Sequence, residues 1–181
     1  DPKNSRRLKR VTQRACEDWR APDTFLEFHP AFPETGVRLD FTFNWQKPTE
    51  VASRIPIKDF IDHGPNVQPA AAADEFLQKV YPQLYAKSKH TVAKPGDKIE
   101  LKGLDARVVA SAGQMIASSL PGAGNKNPYC AAYKPKDPDP GENAQSVGTH
   151  ITFGRFRMLH LGDLTAMKEF DLMCPANRLG T

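Results

Sequence analysis

Asp163 is the residue of this chain best placed to do chemistry. It follows Gly162 at the end of the apolar-rich run Phe156-Arg157-Met158-Leu159-His160-Leu161. A carboxylate at a strand end is held by the strand and exposed by the corner, as a metal ligand or a catalytic base requires. Asp is also a favoured helix N-cap, and a helical pattern runs from Leu164 to Met173, so a capping role competes with the chemical one. Ahead of this strand lies a polar loop, Glu142-Asn143-Ala144-Gln145-Ser146, and then a strand-like stretch from Val147 to Phe153.

The other reactive side chains offer less. His160 shares a strand with Asp163 at odd offset, so alternation sends it to the opposite face. His150 stands at a strand start, and His90 at a helix end, where a cation suits the helix dipole. His63 lies in the turn Asp62-His63-Gly64-Pro65-Asn66, and His29 lies in an unassigned stretch. Gly122-Ala123-Gly124 has neither a preceding strand nor a following Gly-Lys-Ser/Thr, so it is no phosphate loop. There is no Gly-x-Ser-x-Gly elbow, and Ser111, Ser118 and Ser119 have no histidine near them in sequence. Cys16, Cys130 and Cys174 form no Cys-x-x-Cys pair. Their wide spacing predicts buried or incidental thiols rather than a zinc ribbon or a disulfide framework.

The elements that must position these residues are short. Sixteen prolines exceed twelve glycines, and a mean hydropathy of −0.55 sits on the polar side of globular, which favours loops and strands over a helical bundle. No apolar run reaches the roughly 18 residues of a membrane helix, so no membrane partner is expected. No apolar leader opens the chain, and the compartment is left unknown. Length allows one domain, 1–181. Residues 4–19 read as a basic helix with Arg6, Arg7, Lys9, Arg10 and Arg14, either a solvated face or a nucleic-acid arm. Residues 20–36 read as loop and Leu39–Phe43 as a strand, followed by a short helix from Thr49 to Ser53. A β-rich run covers Ile55–Ile61, and Ala70–Lys89 is the strongest helix, kinked or split by Pro82. Ile99–Leu101 and Ala106–Ala110 form a hairpin-like pair, residues 118–141 a long loop, and Val147–Phe153 with Phe156–Leu161 a second β pair.

Several of these pieces resemble the metallo-β-lactamase-fold hydrolases, especially the branch similar to the hydrolase domain of DNA-uptake channel proteins. Lys94-Pro-Gly-Asp-Lys-Ile-Glu-Leu-Lys-Gly-Leu-Asp-Ala-Arg-Val-Val-Ala is similar to that branch's Gly-Asp strand pair, and Glu142-Asn-Ala-Gln-Ser-Val147 resembles its Asn-x-x-Ser loop. Phe156-Arg-Met-Leu-His-Leu-Gly-Asp-Leu-Thr165 resembles the strand that delivers its bridging metal ligand, and Arg54 to Asn66 resembles the rim of the site. The resemblance covers roughly residues 50–181 and implies an α+β fold, a partial αββα sandwich with metals between strand ends. It implies Asp163 as metal ligand, His63, Asn66, Asn143 and Ser146 as substrate-facing residues, two zinc ions as cofactor, and a small ester, amide or phosphodiester substrate.

The family's His-x-His-x-Asp-His cluster is missing. Its place reads Thr42-Phe43-Asn44-Trp45-Gln46-Lys47-Pro48-Thr49-Glu50, and no strand with a further histidine follows Asp163 before Thr181. The expectation is therefore an incomplete metal-dependent hydrolase, inactive as the chain stands, with no catalytic residue assigned. The alternative is a non-catalytic binding module that uses the 118–141 loop and the basic helix, with nucleic acid as a partner. A third outcome is half a sandwich that exposes its sheet and aggregates.

Overall fold

A computed structural model describes residues 47–180. The readings of a helix over 4–19, a loop over 20–36 and a strand over Leu39–Phe43 lie outside the described residues, as do His29 and Cys16. Helix α1 (Lys47–Arg54) starts two residues before the expected Thr49, with Glu50 in its first turn and Arg54 in its last, each favourable to the helix dipole. Strand β1 (Asp59–Asp62) takes up only the later part of the β-rich run Ile55–Ile61 and one residue beyond it; Pro56, near the start of the run, cannot donate to a ladder.

The long helical segment is α2 (Ala71–Glu75), a π-helical turn (Phe76–Val80) and α3 (Tyr81–Tyr85). The interruption falls where Pro82 requires it. Its ring opposes the carbonyl four residues back and it has no N–H to return, so the widened turn replaces regular helix just before it. The segment stops at Tyr85, not at Lys89. Strand β2 (Lys89–Val92) follows and pairs in parallel with β1, Phe60 opposite His90.

The larger sheet is antiparallel, in the order β3 (Lys98–Leu101), β4 (Leu104–Ser111), β6 (Gly148–Phe153), β7 (Phe156–His160), with β5 (Gln114–Met115) paired to the end of β4. Both expected β pairs are present. Helix α4 (Ala166–Met173) follows the sheet. The described chain is therefore a mixed α+β fold.

Its core lies in three clusters. Val51, Ile57 and Phe60 meet Tyr81, Leu84 and Tyr85, joining the helices to β1. Ala93, Ile99, Ala106 and Val108, with Ile61 and Ile151, join the small sheet to the large one. Val109, Ile116, Leu172 and Leu179 join the large sheet to α4 and the segment after it. A bulge between Val108 and Ala110 shifts the register with β6. Successive strand residues face opposite sides of the sheet, so Val108 enters the second cluster and Val109 the third, both fully buried. Each contributes roughly 1.5–3 kcal/mol of transfer free energy.

The long loop is not free, and its cysteine is not a spare thiol. Its first part lies along the C-terminal segment through Leu120 N–Arg178 O, Gly124 N–Asn177 O and Asn127 N–Pro175 O, and a Cys130–Cys174 disulfide closes the arrangement. This corrects the reading of incidental thiols. Spacing along the chain does not report proximity once a loop folds back on the helix end.

Candidate functional site

β1 runs directly into the Asp62–Asn66 turn. Asp62 Oδ1 accepts from Gly64 N at 2.9 Å, and Gly64 takes a φ of +99°, which glycine accommodates without a Cβ clash. Asp62 Oδ2 accepts from the Tyr81 hydroxyl at 2.8 Å and meets His90 Nε2 at 2.6 Å, while the His90 ring stacks on Tyr85 with centroids 4.1 Å apart. Burial, and then the Asp62 carboxylate beside it, hold the Tyr81 phenol above its ordinary pKa, so it serves as a donor. His90 thus sits in a strand against a carboxylate, not at a helix end.

One residue further on, the partly buried His63 meets Glu142 through Nε2 and Oε2 at 2.8 Å. Glu142 is 9% exposed; its other carboxylate oxygen accepts from Val67 N, and its own N–H donates to Gln68 Oε1 at 3.3 Å. Asn66 is engaged locally, with its amide nitrogen on Gln68 O and Asp74 Oδ1 and its amide oxygen accepting from Gln68 N. His63 and Asn66 therefore fix the shape of their loop.

Glu142 opens a short 3-10 turn, Glu142–Gln145, that other loops also touch. Ala112 N donates to Gln145 O at 3.1 Å, from a β4–β5 turn in which Ala112 has a φ of +49°, and Lys168 of α4 donates to Gly113 O at 2.6 Å. On the far side, a Cβ added to Gly162 would lie 3.4 Å from Ser146 Oγ, so the Gly162-Asp163 corner packs on Ser146. The turn before β6 therefore meets the loop after β1 through Glu142 and His63, and its end meets the corner after β7 through Ser146 and Gly162. Asn143 and Asp163 are exposed, and Ser146 is half-buried.

Asp163 is not the helix cap. Thr165 holds that position, and its side chain makes no capping bond. Ser111 is fully buried, and among the described residues its hydroxyl has no hydrogen-bond partner and no histidine beside it to activate it. Among the described residues, no three His, Cys, Asp or Glu side chains gather as a metal-holding group. Sequence reasoning missed Glu142 as the hub of the junction. Its partner His63 is 79 residues away, and no local signal announces such a pair. His150 is 6% exposed with a buried, unpartnered Nε2; burial, and then the Arg157 guanidinium, lower its pKa.

No family model, no curated protein and no solved structure matches this chain.

Proposed function

We propose that this chain is a metallo-β-lactamase-like hydrolase module whose described face is a substrate rim, and that it binds an ester, amide or phosphodiester group without cleaving it. The observation that carries this reading is that the segment bearing Asn143 and Ser146 touches both the loop of His63 and the Gly162-Asp163 corner. The succession of clusters, helices on the small sheet, small sheet on the large, large sheet on α4, supports a partial αββα sandwich. The zinc pair implied by the resemblance does not fit the donors present. His63 and His90 are engaged by Glu142 and Asp62, and no metal-holding group forms among the described residues. No hydrolytic step is therefore assigned to the chain. The binding module with a basic helix over 4–19 draws on residues outside those described.

The test is amide chemical-shift mapping with bis(p-nitrophenyl) phosphate, alongside zinc content after loading and buffer exchange. Shifts confined to 62–68, 142–146 and 161–165, with less than one zinc retained, are expected. Shifts elsewhere or none would sink the rim. Two zinc ions per chain, lost in Asp163→Ala, would replace a binding module with a complete metallohydrolase.

A further inference from the structure

Between Ile116 and Glu142 no residue of the chain is buried. Apolar burial therefore does little to hold this stretch in place. Hydrogen bonds join residues 120–127 to the end of α4 and the segment after it, and the Tyr133 ring stacks on Phe170 with centroids 4.4 Å apart. The Cys130–Cys174 bridge falls between these two sets of contacts and is the one covalent tie among the described residues.

A bridge of this kind is either a redox sensor or a structural staple, and the two differ in their surroundings. A sensor keeps its cysteines open to solvent and beside a resolving thiol. Here Cys174 is only 9% exposed where α4 ends, and the described residues hold no third cysteine. The surroundings are those of a staple. Structural bridges form and persist where thiols are oxidised, and glutathione and thioredoxin keep such pairs reduced in the cytosol. As two thiols, Cys130 and Cys174 would leave the stretch to one ring stack and to hydrogen bonds that gain little over water.

We propose that the chain matures in an oxidising compartment, outside the thiol-reduced cytosol, where a disulfide-bearing oxidant protein closes the Cys130–Cys174 bridge. Cys130 is the more open of the two sulfurs. Its thiolate attacks the oxidant's disulfide, forming a mixed disulfide and releasing one oxidant sulfur. The Cys174 thiolate then attacks Cys130 Sγ, which closes the bridge and expels the second oxidant sulfur. Two electrons leave with the oxidant as a dithiol, which takes up the two thiol protons. The proposal uses none of the rim residues and stands whether or not the rim binds a substrate.

The test traps thiols with acid in cells that naturally express the chain, then counts maleimide–polyethylene glycol adducts on the denatured protein by gel shift. The chain has three cysteines and the bridge takes two, so one adduct is expected before reduction and three after. Three adducts before reduction would overturn the compartment. Purified oxidised protein is next held in a glutathione buffer set to the cytosolic poise. The bridge is expected to stay closed until urea is added; its opening in folded protein would make it a sensor and overturn the staple. Cys174→Ser cannot complete the exchange, so it is expected to accumulate a reductant-sensitive species of higher mass through Cys130. Cys130→Ser/Cys174→Ser should lose that species. Equal amounts in both variants, or none in either, would overturn the exchange step.

Discussion

Opening the Cys130–Cys174 bridge tests how the long loop contributes to stability. The bridge joins residues 44 apart in sequence. Loop-closure entropy for a ring of that length gives about 4 kcal/mol at 25 °C, lost when the bond is reduced. At about 2–4 °C per kcal/mol for a chain of this size, the melting temperature should fall by about 8–16 °C. Reduction leaves both sulfur atoms in place, so no cavity confounds the comparison, although Cys174 is only 9% exposed. Cys130→Ala/Cys174→Ala should lose the same amount plus a small packing term. The assay is urea unfolding followed by far-ultraviolet circular dichroism, with and without a phosphine reductant. The hydrogen bonds from Leu120, Gly124 and Asn127 to the C-terminal segment remain, so reduced protein should stay folded while nicking faster between residues 117 and 133. Equal midpoints for oxidised and reduced protein, or three free thiols in protein purified without reductant, would refute the reasoning.

Removing the hub carboxylate by Glu142→Ala strips acceptors from His63 and Val67 N and should cost about 2 kcal/mol, with faster exchange of the Val67 amide; an unchanged urea midpoint would mean that the junction is not cohesive. His150 has a folded-state pKa below its ordinary 6.5. Its contribution is therefore present above that pH and is lost as pH falls below it, by at most about 1.4 kcal/mol per pH unit, and His150→Asn should flatten the loss seen in pH-dependent unfolding. Gly154→Ala and Gly180→Ala share a positive φ, of +55° and +69°, but a Cβ at Gly154 meets nothing within 4 Å whereas one at Gly180 would lie 2.2 Å from Pro121 O. The first should cost about 1 kcal/mol and the second several times more in the same unfolding assay; equal costs would place the clash elsewhere.

What the sequence determined by itself is mostly local. Alternating patterns bounded by Gly turns placed the β3–β4 and β6–β7 hairpins, because side-chain period and turn chemistry lie within a few residues. The apolar stripe from Phe76 to Tyr85 placed the long helix, and Pro82 placed its interruption. Strand β2 was hidden behind that helix, since Lys-His-Thr-Val carries little pattern until Phe60 and its neighbours supply the parallel partner. Five candidate site residues were chosen from motifs, but whether they share one place depended on contacts across the chain. Glu142 with His63 and Gly162 against Ser146 hold the loops together, and neither contact leaves a periodic trace. The disulfide was equally invisible, for its two cysteines meet only after the loop lies down along the C-terminal segment. Tertiary structure decided these features because a contact between distant residues is set by the packing of whole elements, and no spacing along the chain encodes it.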